Sequence, residues 1–481
     1  MKKILILLIA LVLLLSSCEE KTKEPSDEND LLLGSNGNQI EYIYKDGVIR
    51  YYLYPNGLLL GYNATVEYSF VDEEVPEEVT IIGKNAYHNL PVLETVKVGK
   101  NVTEIQSSAF CNCPKLIKVE LPDTISKISD NTFSKCTNLK NINIPSSVSV
   151  IENGAFNECR SLTSIEIPSS VTVIGNGAFN ECTSLTSIVI PSGVKSIEDS
   201  TFAKCTSLNS ITIPNSVTTI KSKAFEGCTA LTSITIPESV TSISSDAFSG
   251  CNYLTTINFG GTLEEWYKIG FDAGNANIIC KNNEKANFRI QKDGENYTVK
   301  GLTPEGKEQA NISIPNIVTA IGEKAFSDAT FTSITIPNSV KTIGHGAFAA
   351  SDLQSITIPD SVTTIGYLAF FECGNLAAIT VPGSVEVIEY NAFSQCTSLN
   401  TVTLKKGVKT IKEWAFGGCN NLQTVIIPSS VTEVKTNAFV GCTKNDLTLY
   451  VNQTVSNLFE QSGISNLSNH VRWNSTGPSS T

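Results

Sequence analysis

The 481-residue sequence predicts an α/β solenoid in which stacked parallel β-strands alternate with short helical or turn returns. Prolines recur at steps of 23 residues from Pro122 to Pro237, and cysteines do so from Cys113 to Cys251. The chain is also rich in Ile, Val and Thr, which favour strands over helices. A fixed period of about 20 to 50 residues is typical of coils that bury their apolar side chains only by stacking on one another.

A single repeat shows how one coil is built. Residues 159 to 182 read CRSLTSIEIPSSVTVIGNGAFNEC. The apolar residues at fixed offsets are Leu162, Ile165, Ile167, Val171, Ile174, Ala178 and Phe179. The run from Ser164 to Ile167 alternates like a strand, Pro168 ends its ladder, and the residues before Phe179 are expected to form a turn or a short helix.

The same pattern points to a known repeat family. A later repeat carries it in Leu231, Ile234, Ile236, Pro237, Val240, Ile243, Ala247 and Phe248. This order resembles the BspA-like leucine-rich repeats of bacterial surface proteins. The resemblance implies right-handed leucine-rich-repeat arrays and a broad association with adhesion to host proteins, matrix and other cells. Two steps of 22 residues, from Phe326 to Phe370, depart from the pattern and leave the local curvature open.

The N-terminus resembles that of a bacterial lipoprotein. Lys2 and Lys3 precede an apolar run that ends at Leu15, which is too short to span a bilayer of roughly 30 Å. Cys18 follows two serines, as in a lipobox, and the resemblance implies that this cysteine carries the acyl chains. We therefore predict a signal peptide over residues 1–17 and lipidation of Cys18. The charged residues after it predict a flexible tether over 18–38.

Two hairpins are predicted to open two arrays. An Asp-Gly turn at Asp46 predicts an N-terminal β-hairpin cap over residues 39–74, followed by a first array of eight coils over 75–259. A second Asp-Gly turn at Asp293 lies in a spacer and second cap over 260–311. Such hairpins would cover the first exposed strand edge of each array. The second array, of six coils, is predicted over 312–450, with a C-terminal cap and tail over 451–481.

Composition and motifs exclude several classes of function. The net charge of −12 disfavours a nucleic-acid partner. The only histidines, His88, His345 and His470, lie far apart, and none accompanies a serine or cysteine nucleophile motif. Phosphate-binding glycine loops and zinc-ligand spacings are missing from the sequence. We therefore predict no enzymatic activity, no metal and no cofactor.

The repeated cysteines are open to two interpretations. Equivalent residues on adjacent strands lie within the Cα range of a disulfide, but each repeat offers one thiol without a histidine beside it. The second array has Ala329 and then Ala350 and Ser351 near this position, which indicates a need for a small buried side chain. We therefore predict inert core thiols, with Cys111 and Cys280 as possible exceptions.

One position in the coil carries aromatic residues only in the second array. It lies two residues before the core alanine, and in the first array it is polar and varied, which predicts a solvent-facing site. The second array has His345, Tyr367 and Tyr390 there in successive coils, and Trp414 lies beside the next one. Stacking would place these residues in a row. The row is either a ligand contact or a packing feature of the shortened coils.

A threonine row is the other candidate surface. It occupies the outward strand position at Thr335, Thr357, Thr380 and Thr403, where β propensity alone would favour threonine. We predict a non-catalytic binding protein, lipid-anchored at the bacterial cell surface and in the outer membrane if the cell is Gram-negative. Its partner would be a host or matrix protein, a cell-surface glycan or another cell. The alternative is a structural spacer without a specific ligand.

Overall fold

The computed structural model describes residues 41–45, 48–53, 58–62, 72–442, 447–451 and 456–459. The chain divides into two compact units, Met1–Leu254 and Thr255–Thr481. The predicted signal peptide, the tether, Cys18 and most of the C-terminal tail lie outside the described residues.

Each repeat forms one coil of a parallel β-solenoid, and each coil is named here after its core aromatic residue. The first unit contains the coils of Tyr87, Phe110, Phe133, Phe156, Phe179, Phe202, Phe225 and Phe248. The apolar residues predicted to face inward are buried. In the Phe179 coil they are Leu162, Ile165, Ile167, Val171, Ile174, Ala178, Phe179 and Cys182, none more than 9% exposed.

The first side of each coil is its long strand. In the first unit these strands are Asp72–Glu74, Thr95–Lys97, Lys118–Glu120, Ser187–Val189, Ser210–Thr212 and Ser233–Ile236. The first three pair in parallel and in register with their neighbours, as do Ser187–Val189 and Ser210–Thr212 with each other. The predicted strand from Ser164 to Ile167 has the expected alternating burial but forms only an isolated bridge, between Glu166 and Asn143.

The second side of each coil is a short strand of two residues that follows the proline turn. In the first unit these strands are Ile81–Ile82, Glu104–Ile105, Lys127–Ile128, Val150–Ile151, Val173–Ile174, Ser196–Ile197, Thr219–Ile220 and Ser242–Ile243. Their isoleucines stack directly, as Ile197 does on Ile220 and Ile220 on Ile243.

The third side of each coil, called here the turn side, contains the core Ala-Phe pair. No helix occurs between residues 72 and 254, so the return is a turn and not a helix in this part of the chain. Residues just before the alanine and two after the phenylalanine have positive φ, for example Ser200 at 55° and Lys204 at 58°. Backbone bonds nevertheless join adjacent coils here, since the N–H of Phe156 donates to the carbonyl of Ala178 at 2.8 Å.

The predicted N-terminal hairpin is present. Strands Glu41–Lys45 and Val48–Leu53 pair antiparallel, and a third strand, Leu58–Tyr62, continues the meander. This third strand pairs in parallel with the first short strand, Ile81–Ile82. The meander therefore covers the edge of the short-strand sheet, as expected of a cap.

The second unit begins with a segment that breaks the period. It contains strands Thr256–Phe259 and Asn277–Ile279, the helix Leu263–Ile269, the 3-10 helix Lys281–Asn283, the hairpin strands Phe288–Asp293 and Asn296–Leu302, and the short helix Pro304–Lys307. A capping box between Thr262 and Glu265 starts the longer helix. Arg289 donates two hydrogen bonds to Asp272, at 2.7 and 2.9 Å, which fixes the hairpin on this segment.

The second array repeats the three-sided coil. Its long strands are Asn311–Ser313, Ser333–Thr335, Ser355–Thr357, Ala378–Val381, Thr401–Leu404, Thr424–Ile426 and Thr448–Tyr450. Its short strands are Ala320–Ile321, Thr342–Ile343, Thr364–Ile365, Val387–Ile388, Thr410–Ile411 and Glu433–Val434, and a 3-10 helix, Ser456–Phe459, follows. The hairpin strand Asn296–Leu302 pairs in parallel with Ala320–Ile321 and so caps this array.

The two shortened coils keep the stacking of their neighbours. The missing residue lies in the turn after the cysteine position, where Thr330 alone separates Ala329 from Phe331. Phe331 fills the leucine position and packs edge-on against Phe326, with ring centroids 5.5 Å apart. The core rings of Phe326, Phe348 and Phe370 are still 5.3 and 5.0 Å apart, so the deletion is absorbed within the turn.

Candidate binding surface

The position two residues before the core alanine lies on the turn side, and we call it the row position. In the first array its side chains form a hydrogen-bonded ladder. The N–H of Asn153 donates to Asp130 Oδ1 at 2.9 Å, and the N–H of Asn176 donates to Asn153 Oδ1 at 2.9 Å. Asp199 and Ser222 continue the pattern at 3.2 and 3.0 Å. Asn153, Asn176 and Asp199 are exposed, so the position faces solvent as predicted, and their side-chain oxygens also serve the backbone of the next coil.

In the second array the same position carries rings. The ring of His345 stacks on that of Tyr367, with centroids 3.3 Å apart. His345 Nδ1 also donates to the carbonyl of Tyr367 at 2.7 Å, which requires the ring proton on Nδ1 because a carbonyl can only accept. The predicted side-by-side placement of these two residues is confirmed.

Three of the aromatic side chains in this region are exposed. Tyr367 is 48% exposed, Tyr390 46% and Trp414 39%. Trp414 does not occupy the row position, which belongs to Glu413 in this coil. Trp414 sits at the following residue, with φ at 58°, and its ring covers Gly417, where an added Cβ would lie 2.8 Å from Trp414 Cε3. The aromatic surface therefore consists of a stacked pair, one further row tyrosine and an offset tryptophan.

A groove lies on the same coils. It has a volume of about 470 Å³ and is lined by Thr363, Thr364, Ile365, Ser384, Glu386, Val387 and Glu389. These residues surround the short strands of the Phe370 and Phe393 coils. Tyr390 directly follows Glu389, and Tyr367 is the second residue after Ile365. The two tyrosines therefore follow residues of the groove wall within two positions in the sequence, although they are not among the residues that line it.

Two ion pairs hold the acidic groups of the groove. Lys409 Nζ lies 2.7 Å from Glu386 Oε1, and Lys412 Nζ lies 2.7 Å from Glu389 Oε2. Each lysine comes from the coil after that of its glutamate. The carboxylates are thus balanced by cations, and their positions are fixed by the stacking of the coils.

Comparison with known protein families identifies the repeat. The BspA type leucine rich repeat region matches the chain in six copies, over residues 61–186, 172–279 and 319–446. The chain belongs to this family. No curated protein matches the sequence.

Solved structures of other leucine-rich repeat proteins are similar to this BspA-type chain. A leucine-rich cell surface protein of Faecalibacterium prausnitzii is 28% identical, with 93% of this chain and 100% of that chain covered and a TM-score of 0.37. A protein of Bacteroides ovatus is 21% identical, with 90% and 98% covered and a TM-score of 0.38. One of T. pallidum is 30% identical over 39% of this chain and 90% of its own, with a TM-score of 0.36.

The cysteines of the BspA-type coils form a buried column. Cys182 Sγ donates to the carbonyl of Phe156 in the preceding coil at 3.2 Å, and each ladder cysteine from Cys113 to Cys251 makes the equivalent bond. Ser351 occupies the position in the second array and is also buried. The predicted burial of a small side chain is confirmed, and the weak S–H donor explains why cysteine fits.

Burial favours the protonated form of most of these thiols, whereas hydrogen bonds with Cys136 and Cys396 lower the pKa of Cys113 and Cys373. Burial raises the pKa of Cys159, Cys182, Cys205 and Cys228, since a thiolate would be desolvated there. All cysteines from Cys111 to Cys442 are free thiols in the structure. The two predicted exceptions differ, because Cys280 is buried, whereas Cys111 is half-buried, and burial raises the pKa of both thiols.

The described residues offer few groups for metal binding or catalysis. Within the described ranges, no group of three or more His, Cys, Asp or Glu side chains could hold a metal ion. His88 and His345 lie in different units, and His470 is outside the residues that the structure describes. In the described part of the chain, no helix is long and apolar enough to cross a membrane. The family match is to a repeat family and not to a catalytic one.

Sequence reasoning missed the groove and the ladder. The groove was detectable in part, because Glu386 and Lys409 are 23 residues apart, as are Glu389 and Lys412. Opposite charges one repeat apart indicate ion pairs between coils. The ladder was visible as Asp and Asn at one offset, but only the backbone geometry shows that their oxygens accept from the next coil.

Proposed function

We propose that this BspA-type protein is a non-catalytic binding protein of the bacterial cell surface. The observation that supports this most is the exposure of Tyr367 and Tyr390 at a position where the first array uses hydrogen-bonded side chains. Large exposed rings are typical of contact sites, where they lose contact with water on binding and supply amphipathic contact area at low entropic cost.

The partner is a host or matrix protein, a cell-surface glycan or another cell. The family supports a surface role, and a similar chain from Faecalibacterium prausnitzii is itself described as a cell surface protein. The candidate ligand contacts are His345, Tyr367, Tyr390 and Trp414. The ion-paired groove beside them adds polar groups that a partner can reach.

The protein would be held at the membrane through acyl chains on Cys18, in the outer membrane if the cell is Gram-negative. A single acyl chain binds a bilayer only weakly, whereas several chains anchor firmly. Mass spectrometry of the mature N-terminus should find an acylated Cys18, and Cys18→Ser should release or mislocalise the protein. An unmodified Cys18 within a longer mature chain would rule out the anchor.

The binding role is tested by screening the purified full chain against matrix proteins, serum proteins, neutral oligosaccharides and charged oligosaccharides. Saturable binding is expected. The triple variant Tyr367→Ser, Tyr390→Ser, Trp414→Ser should lose it while melting at nearly the same temperature. Tyr253→Ser is the matched control, because Tyr253 is 66% exposed and lies in the other unit.

A spacer would behave differently in the same screen. It would show no saturable binding to any component, because its surface would carry no specific site. Affinity that survives in the triple variant, or a large loss of stability, would show that the rings are structural.

A further inference from the structure

We infer that the groove of the Phe370 and Phe393 coils, together with Tyr367 and Tyr390, is a binding site for a neutral oligosaccharide. This inference rests on the proposed binding function and names its ligand class. The site joins two independent features, a polar groove of about 470 Å³ and a pair of exposed tyrosines that follow its wall in the sequence. Grooves of this volume are in the range that holds small ligands.

The wall of the groove supplies hydroxyl chemistry. Ser384 Oγ donates to the carbonyl of Val362 at 2.6 Å, and Thr363 Oγ1 donates to that of Lys341 at 3.3 Å. Their hydrogens are therefore committed, while their oxygens still have acceptor capacity. Sugar hydroxyls are donors as well as acceptors, so a saccharide can donate to these fixed oxygens.

The charges of the groove favour a neutral ligand. Glu386 and Glu389 are each paired with a lysine, so the site offers no unpaired cation for an anionic sugar and no unpaired carboxylate for a basic peptide. A paired carboxylate keeps free lone pairs, since it can accept up to about four hydrogen bonds. Vicinal hydroxyls of a sugar match such a carboxylate with two donors.

The rings supply the apolar contact. One face of a pyranose carries only C–H bonds, which are weakly positive and stack on the negative face of an aromatic ring. The core rings of Phe370 and Phe393 show that these coils are 5.1 Å apart, a spacing comparable with one pyranose unit. Tyr367 and Tyr390 can therefore meet successive units of one chain.

A globular protein partner fits these features less well. Protein interfaces centre on a desolvated apolar core, whereas this groove is lined by five polar side chains and two aliphatic ones. A polar wall followed by aromatic residues is a better match for a ligand that has hydroxyls around its edge and a face of C–H bonds.

The experiment titrates the purified full chain by calorimetry with maltotetraose, cellotetraose, mannotetraose and chitotetraose. Sialyllactose, a heparin tetrasaccharide and the matrix proteins of the screen are the comparators. At least one neutral tetrasaccharide should bind saturably. Tyr367→Ala with Tyr390→Ala should weaken it by about 10-fold or more, since two stacking faces are lost. Tyr253→Ala should leave it unchanged.

A second pair of variants separates the ring from its hydroxyl and from the fold. Tyr367→Phe with Tyr390→Phe keeps the stacking faces and should retain most of the affinity. Glu389→Gln keeps an acceptor but loses the charge and one strong lone-pair site, so it should weaken binding less than loss of the rings. Circular dichroism of each variant reports whether the coils remain folded.

The outcomes distinguish the two proposals. If a matrix protein or only a charged saccharide binds, the oligosaccharide assignment is overturned while the binding function stands. If a neutral tetrasaccharide binds equally well to the double alanine variant, the location is overturned. If no component of the whole screen binds, the binding function itself fails.

Discussion

The turn sides of the two arrays use one backbone position in opposite ways. In the first array, Asn153 and Asn176 direct side-chain oxygens at the N–H of the next coil. In the second array, Tyr367 and Tyr390 direct rings toward solvent, although the carbonyl at this position still accepts from the previous coil in both arrays. The coil therefore keeps its backbone ladder where the side-chain bond is absent. The side chain at this position can therefore change without breaking the backbone ladder.

The loss of the side-chain bond in the second array should lower the stability of the coils there. Among the described residues, the N–H groups of Tyr367 and Tyr390 have no hydrogen-bond acceptor. Exposed N–H groups can bond to water, so the loss is moderate. A position that gives up such a bond and exposes a ring is less stable than the ladder it replaces, as is common where function competes with stability.

The largest expected effect is the loss of stability on removing a core phenylalanine, and it should be the same in both arrays. Phe179→Ala and Phe393→Ala each open a cavity in a stack whose rings are 5.1 to 5.7 Å apart. Each should lower the free energy of unfolding by about 3–5 kcal/mol. Urea unfolding followed by circular dichroism measures this. A much smaller loss for Phe393→Ala would show that the arrays differ in their cores and not only on the turn side.

The next effect concerns alkaline pH. Burial raises the pKa of Cys251 from 9.0 to about 11 and that of Cys442 to about 12. Because the folded-state pKa lies above the unfolded one, these thiols contribute stability that is complete below pH 9 and is lost as the pH rises through 11 to 12.

The first array should lose more stability as the pH rises, because burial raises the pKa of six of its ladder thiols and of only three in the second array. Unfolding at a series of pH values measures the slope, and Cys182→Ser should reduce it. Native alkylation at neutral pH should label the ladder cysteines only slowly. Rapid labelling, or a melting temperature that falls on adding a reductant, would contradict the buried free thiols.

A smaller effect should follow from exchanging the two uses of the row position. Asn176→Tyr removes the acceptor for the N–H of Asp199, and it should lower the free energy of unfolding by about 1 kcal/mol. Tyr390→Asn can restore a ladder bond and should leave stability unchanged or slightly raised while weakening ligand binding. Asn176→Asp is the control, because it keeps the oxygen. Equal stability of the Tyr and Asp variants at residue 176 would show that the ladder bond is without consequence.

The smallest effect should come from the exposed ion pairs. Lys97 and Lys409 pair with glutamates one repeat earlier, at 2.6 and 2.7 Å, and all four side chains are more than half exposed. Solvent screens such pairs, so Lys97→Met and Lys409→Met should leave the melting temperature almost unchanged. Only Lys409→Met should alter oligosaccharide binding. A clear loss of stability for Lys409→Met alone would make the groove pair structural.

The fold was predictable because the core residues recur in every coil. Phe179 and Cys182 occupy offsets that the 23-residue period repeats, and no coil can bury them alone. The hairpin caps followed from the Asp-Gly turns and alternating runs. The isolated bridge at Glu166 was not predictable, since its residues alternate as well as those of neighbouring strands.

The candidate site was only partly predictable. Aromatic residues at one offset located the row, and stacking gave the contact of His345 with Tyr367. The offset of Trp414 depends on a left-handed residue next to the row, which propensity alone does not reveal in a tryptophan. The shape of the groove was not predictable, because its depth depends on how two coils are arranged in space, whereas the sequence gives only the order of the coils.

The register of the coils has a consequence for how such genes change. Side-chain bonds across coils of the turn side join residues 22 to 26 positions apart, as between Asn176 and Asn153 or Cys182 and Phe156. A recombination that adds or removes one whole repeat therefore keeps the remaining coils in register. Lineages can lengthen or shorten each array by a coil without refolding the rest, and they can vary the residues of one turn side independently of the next.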